Sequence, residues 1–468
     1  MRCGIGFWTA LAVSACCGTA GAQPSASQEL PQPQIASEKE VDEQDSPPEP
    51  PPRPALSLSR IEEFAARSHP SLRAARSDIE VAYGRAAQAG LYPNPVLRAG
   101  AEQFGGNQNE LPFVFSQRIV TGGKLGLDQQ ASLQQAVQAE QRFARARYDV
   151  LTGVRRAYYR ALAGRRRIET LRRLTDLLGK SRDVAQDRLK GGEATRTDVV
   201  LLEVELRQAR ANLRNAEAAQ PGLLRGLLAS AGAPDEPEIP AVTGDFELDF
   251  ALDGYGELLA GVMASNSLIR EADLEVTRRQ ILLRRAEAEP IPDVTVNLGY
   301  QHNTGPMNVN NKGVLNVSLP LPLWNRNEGN RYAASNAIHR AASEARTVRV
   351  RLGGSLADAW RRYQAATEQA QVLLREVVPS TREAVELTRE GYQAGQLDLL
   401  RLLSAQQSFV RAYLSFIDTQ EQRWLAAADI AGLLQADVFP PVTPGEAKPN
   451  PDAPADRILP ESPARPAP

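Results

Sequence analysis

The chain has 468 residues, 42% hydrophobic and 24% charged, with 54 basic against 56 acidic side chains. That length corresponds to roughly three domains at about 150 residues each, or to fewer, longer ones. A balanced charge and a pI near 6.1 exclude the basic footprint of a nucleic-acid binder.

Cys, Met and His number three each. Cys3, Cys16 and Cys17 all fall in the leader region, which removes a disulfide framework, a thiolate metal site and a cysteine nucleophile from the body of the chain. His69, His302 and His339 stand alone, without the spacing or carboxylate cluster of a metal centre, so surface or hydrogen-bonding roles are expected for each. No cofactor site is legible.

Residues 1–22 open with Arg2, continue through the apolar run Ile5 to Val13 and end in Ala20-Gly21-Ala22, the pattern of a secretory signal. Two cleavage sites compete: an A-x-A site before Gln23, and a lipoprotein-type box, Val13-Ser14-Ala15-Cys16, which would leave Cys16 for acylation. The first is preferred because the second leaves a short apolar region. No later segment offers about 18 consecutive apolar residues, so no transmembrane helix is expected in the mature chain.

Of 33 prolines, 9 lie in residues 22–56 and 10 in residues 440–468. Residues 23–57 and 437–468 therefore read as Pro-rich disordered segments. Between them lie two copies of one unit, 58–232 and 253–436, offset by about 200 residues and joined by an inter-repeat linker at 233–252. His69-Pro70-Ser71-Leu72 matches Ser265-Asn266-Ser267-Leu268, Phe115-Ser116-Gln117 matches Val317-Ser318-Leu319, and Lys190-Gly191-Gly192 matches Gln393-Ala394-Gly395. Each half reads helix, hairpin, long helix, turn, helix.

In the first half the hairpin strands alternate Leu97, Ala99 and Ala101, then Leu111, Phe113 and Phe115, with mostly polar or small residues between them. A proline-free stretch follows from Gly123 to Gln220, with apolar residues at Val150, Val154, Ala157, Ala161, Ile168, Leu171, Leu178 and Ala185. Steps of 3, 4 and 7 are the coiled-coil rhythm, and a helix from Lys124 to Lys190 would reach about 100 Å. After the Gly191-Gly192 turn the rhythm resumes at Val199, Leu202 and Leu206, so an antiparallel helical hairpin is expected.

The second half repeats this. Val294, Val296, Leu298 and Tyr300 alternate with Thr295, Asn297, Gly299 and Gln301, as Leu315, Val317 and Leu319 do with Asn316 and Ser318. The long-helix rhythm runs from Ala345 through Leu352, Leu356, Ala359, Tyr363 and Ala370 to Val377. Four strands with one apolar face suit an outer-membrane barrel completed by oligomerisation, with Tyr92 and Trp324 as interfacial aromatics at one end.

Two such half-repeats resemble the TolC-like outer-membrane efflux proteins over about Leu58 to Leu434. The runs Gln117-Arg118-Ile119-Val120-Thr121-Gly122-Gly123-Lys124 and Leu319-Pro320-Leu321-Pro322-Leu323-Trp324-Asn325-Arg326-Asn327-Glu328-Gly329 look like the strand-to-helix junctions of the heavy-metal (CzcC/CusC-like) branch. The resemblance implies a mainly α fold with a membrane β-barrel portion. In it, long coiled-coil hairpins form a periplasmic tunnel, and four strands per chain build a trimeric 12-stranded barrel. It further implies no enzyme but a passive duct for heavy-metal cations in the Gram-negative outer membrane, held in its lipid and docked to a periplasmic adaptor and an inner-membrane RND pump. Drugs or other organic solutes are the alternative cargo, and an exported coiled-coil scaffold is the alternative class.

In the family the turns between long helices lie at the periplasmic tip, where charged residues close the entrance. Asp198, six residues after Gly192, and Arg401, six after Gly395, are the gate candidates, with Asp398 beside them. Relatives carry an Asp at the position of Arg401. Gly191, Gly192, Thr195, Thr197, Gly395 and Gln396 are candidates for the tip turn and adaptor contact.

Overall fold

The computed structural model describes residues 56–100, 109–236, 241–247, 250–305 and 308–440. The leader, Cys16 and most of both Pro-rich segments lie outside the described residues. The chain divides into Met1–Pro52, none of it described, and Arg53–Pro468, to which everything below refers.

The described elements run α1 (Leu58–Ser68), α2 (Pro70–Ala89), β1 (Val96–Ala99), β2 (Asn109–Ile119), α3 (Lys124–Lys190) and α4 (Arg196–Ser230). The second copy is α5 (Tyr255–Ser265), α6 (Ser267–Ala288), β3 (Val294–Gly305), β4 (Asn308–Ser318), α7 (Glu328–Val372), α8 (Val378–Gln393) and α9 (Leu399–Leu434).

The opening helix of each half, expected as one piece, is two. His69 and Asn266 break it with nearly the same backbone, φ −61° and ψ 126° against φ −65° and ψ 127°. Each then caps the helix that follows, because its side chain accepts a hydrogen bond from the N–H two residues on, that of Ser71 or Leu268.

α3 spans 67 residues without interruption. Its counterpart does not: a π-turn at Leu373–Val377 separates α7 from α8. Pro379 follows that turn directly, and a proline ring cannot sit over an undisturbed α-helical carbonyl four residues back. The coiled-coil rhythm shows neither feature, since Leu373 and Val377 keep the apolar spacing.

The core lies where α3, α7 and α9 meet. Val154, Tyr158, Leu162, Leu356, Tyr363, Phe416 and Ile430 are buried there, and Trp424 stacks on Tyr159 with ring centroids 3.9 Å apart. The chain between the two copies is part of this core. Val242, Phe246 and Phe250 are buried, the Phe246 carbonyl accepts from Trp424 Nε1 at 2.9 Å, and the Phe250 carbonyl accepts from the Tyr363 hydroxyl at 3.1 Å. Side chains from α7 and α9 thus satisfy carbonyls of a strap whose backbone also pairs with Leu56 at Val242. A second apolar cluster near the turns joins Leu178 and Ala185 of α3, Val199, Leu202 and Leu206 of α4, and Leu399, Leu402 and Leu403 of α9.

Candidate functional site

The four described strands form one antiparallel sheet in the order β1-β2-β3-β4. Register aligns Leu97, Phe115, Leu298 and Leu315 in one row across all four strands. Those side chains are 72%, 47%, 61% and 70% exposed. The neighbouring rows on this face hold Phe113 beside Tyr300, and Val296 beside Val317. On the other, mostly polar, face the rows read Val96, Ser116, Asn297 and Asn316, then Arg98, Val114, Gly299 and Val314, then Pro112, Gln301 and Lys312. Because successive side chains alternate, a single register sorts the two chemistries to opposite sides. Apolar area of this size left open by the chain calls for a non-aqueous neighbour.

β2 and β4 run longer than their alternating residues suggested, because pairing with β3 carries the ladder into polar positions. Pro112 is tolerated inside β2. Its carbonyl accepts from the N–H of Gly100, so its missing N–H faces the β1 side, where the described β1 has ended at Ala99.

Where the sheet meets the helices, one carboxylate gathers the junction. Asp293 Oδ1 accepts from Lys124 Nζ at 2.9 Å and from the Thr121 N–H at 3.1 Å, and its Oδ2 accepts from Arg118 Nε at 2.9 Å. Lys124 Nζ also donates to the Ile291 carbonyl at 2.6 Å. Burial pushes the Asp293 carboxyl up, but hydrogen bonds from Lys124, Thr121 and Arg118 outweigh it and hold the group at about 2. Gly122 and Gly123, at φ 66° and 68°, let the strand turn into α3 above this cluster, and a Cβ on Gly122 would stand 3.0 Å from Ile291 Cδ1. The second copy starts α7 in the same way with Asn327 at φ 62°, but it has Glu328 where the first has Lys124. Lys124 and Asp293 lie 169 positions apart, so no local pattern marks their contact. The available signal was Asp293 itself, which replaces the Pro95 of the first copy.

The aromatics expected at this end are exposed, Tyr92 at 62% and Trp324 at 93%. Leu321 and Leu323 stand open beside Trp324.

At the far end the two turns share one geometry. Gly192 and Gly395 take φ 78° and 73°, and the next N–H, of Glu193 or Gln396, reaches back to the carbonyl of Arg188 or Gly391. Thr195 and Asp398 are the N-caps of α4 and α9. Asp198 is held in a capping box: its Oδ2 accepts from the Thr195 N–H at 3.0 Å, and Thr195 Oγ1 accepts from the Asp198 N–H at 3.2 Å. Arg401 Nε lies 3.7 Å from Asp398 Oδ1. Among the described residues of one chain Asp198 and Arg401 form no ion pair. Each is bound within its own turn. Gly191 closes α3, and Thr197 and Gln396 lie exposed on their turns. Arg188 over the Tyr392 ring, 5.2 Å from its centroid, ties the two turns together.

Among the described residues no group of three or more His, Cys, Asp or Glu side chains could hold a metal ion, and no helix is long and apolar enough to cross a membrane. The geometry is that of a surface, apolar on one side and polar on the other, continued by helical hairpins.

Residues 258–435 match the family described as outer membrane efflux protein. The chain is 26% identical over 381 residues to the cobalt-zinc-cadmium resistance protein CzcC of Cupriavidus metallidurans, covering 81% of this chain and 90% of that protein. Among solved structures it is similar to CusC, at 14% identity with a TM-score of 0.67 over 81% of this chain and 91% of that one. It is also similar to the outer membrane protein VceC of Vibrio cholerae, at 20% identity with a TM-score of 0.65 over 81% of this chain and 96% of that one.

Proposed function

We infer the function from one premise, that this chain belongs to the outer membrane efflux protein family and has its TolC-like fold. It is an outer-membrane channel of a Gram-negative bacterium, and its helices continue that channel into the periplasm. In our reading it is the exit component of a tripartite efflux system, coupled to a periplasmic adaptor and an inner-membrane RND pump, and a passive duct for heavy-metal cations.

The observation that carries this reading is the two-faced sheet with open edges. Among the described residues β1 and β4 are both unpaired on their outer sides, and four strands are too few to enclose a lumen. A ring of three copies, with β4 of one chain beside β1 of the next, satisfies both edges and places the apolar rows in lipid. The polar face then lines the lumen. Transport needs no reacting group in such a duct, because the pump supplies the energy. The metal cargo rests on the similarity to CzcC.

At the tip we place the gate in Asp198 and Arg401 of adjoining hairpins, with Asp398 orienting Arg401. We assign Gly191, Gly192, Thr195, Thr197, Gly395 and Gln396 to the adaptor-facing turns.

Deletion of the gene tests the cargo. Sensitivity to zinc, cadmium, cobalt, copper or silver is expected to rise while a drug panel is unaffected. Sensitivity to drugs alone would reassign the cargo to organic solutes.

A further inference from the structure

We propose that Arg98 and Lys312 form a cationic band on the inner wall of the barrel, which favours anions there. The proposal rests on the duct reading above, because only ring closure turns the polar face of the sheet into a lumen.

Register places both residues on that face. Arg98 shares a row with Val114, Gly299 and Val314, and Lys312 shares the next with Gln301 and Pro112. Both are exposed, and neither has an ion-pair partner among the described residues. Among the described residues the other charges of this face are Arg118 and Glu110. Arg118 is bound to Asp293 at the junction, and the Glu110 carboxylate accepts from Gln301 Nε2 at 2.7 Å.

Distance keeps Glu110 from neutralising either cation. Glu110 lies on β2 opposite Asn303, one row beyond the Gln301 row, while Lys312 lies on β4 with β3 between them. At strand spacings of about 4.8 Å and a rise of about 3.4 Å per residue, their Cα atoms are roughly 10 Å apart across the sheet and 7 Å along it. Arg98 is four residues along the ladder from Glu110, about 13 Å. Around these charges the described wall is uncharged, with Val114, Gly299 and Val314 in the Arg98 row and the amides of Asn297, Asn303 and Asn316 in the flanking rows.

The placement of the two cations at opposite edges makes them a band. Arg98 is on β1 and Lys312 on β4, the two edges that join when copies close into a ring. Each seam between protomers therefore joins the strand that carries Lys312 to the strand that carries Arg98. Charge rings in pores set ion preference by this means. At 0.15 M salt a charge is felt over about 8 Å, so the band acts on ions near the wall and leaves the duct open to bulk flow.

The test uses the purified full-length protein in planar lipid bilayers under a potassium chloride gradient. Wild type is expected to give a chloride-to-potassium permeability ratio above one, which collapses towards one in 1 M salt. Arg98→Gln with Lys312→Gln is expected to lower the ratio to one or below. Arg98→Glu with Lys312→Glu is expected to invert it, and the charge-conserving pair Arg98→Lys with Lys312→Arg is expected to keep it. Inorganic tripolyphosphate added on the barrel side is expected to block wild type more strongly than the Gln variant. A ratio that is below one in wild type, or the same in all four proteins, overturns the band and leaves the duct standing. A trimer that inserts and passes no current at any voltage even with the tip pair removed by Asp198→Ala and Arg401→Ala overturns the duct reading and the band with it.

Discussion

The ammonium of Lys124 lies 2.9 Å from the carboxylate of Asp293, with only 4% and 8% of the two side chains exposed. The pair joins the first residue of α3, in the first copy, to the residue just before β3, in the second. It therefore holds the two repeats in register at the point where sheet becomes helix. Asp293→Asn leaves the Lys124 charge buried beside a neutral amide, and removing one partner of such a pair costs about 3 to 5 kcal/mol. The expected outcome is a clear fall in thermal or urea resistance of the detergent-solubilised protein. Lys124→Met is expected to be milder than Asp293→Asn in the same assay, since Asp293 keeps Thr121 and Arg118.

Acid weakens the same junction. The Asp293 carboxyl is held at about 2, below the roughly 3.9 of an unfolded Asp, so its contribution is complete above about pH 4 and is lost as the pH falls through 2. Melting temperature measured from pH 6 down to pH 2 is expected to drop more steeply in wild type than in Asp293→Asn, which lacks the titrating group.

The row Leu97, Phe115, Leu298 and Leu315 provides a test of membrane placement. A lysine on the lipid face of a barrel costs about 2 to 4 kcal/mol at mid-depth, while a lumenal substitution is tolerated. Leu298→Lys is expected to reduce the fraction recovered in outer membranes. Asn297→Lys, one residue away on the other face, is expected to leave it near wild type. Equal recovery of the two variants would contradict the assignment of faces.

The tip separates a capping role from a gating one. Thr195→Ala removes one side of the capping box and is expected to cost about 1 kcal/mol, read as a lower melting temperature. Asp198→Ala combined with Arg401→Ala is expected to raise single-channel conductance if these residues close the entrance between adjoining hairpins. A closed state as tight as wild type in the double variant sinks that gate.

Much of this architecture was legible because it is periodic and occurs twice. The spacing Val154, Ala161, Leu171, Leu178 marks a helix buried along one stripe, and Val294, Val296, Leu298, Tyr300 marks a strand with one apolar face. These are consequences of backbone geometry alone, 3.6 residues per turn or two per pleat, so a single chain displays them without its partners. The matching turns at Gly192 and Gly395 were visible for a related reason, since a left-handed backbone selects glycine.

Other features do not show in these periods. Phe246 and Phe250 look like connector residues until α7 and α9 supply donors to their carbonyls. The π-turn at Leu373–Val377 keeps the apolar rhythm around it and shows only in the backbone. Asp198 is a charge six residues past a glycine in the sequence, and the folded turn binds it to Thr195.

By itself the sequence determined the repeat, the helix and strand types and the separation of apolar from polar faces, because each follows from the covalent period of the chain. Only the tertiary structure decided which charges are spent and which are free. Arg118 and Lys124 are committed to Asp293 across some 170 positions, while Arg98 and Lys312 face the polar side with no ion-pair partner among the described residues. The reason is physical: an ion pair is settled by distances of a few ångströms, and those are fixed by strand register and helix packing rather than by proximity along the chain.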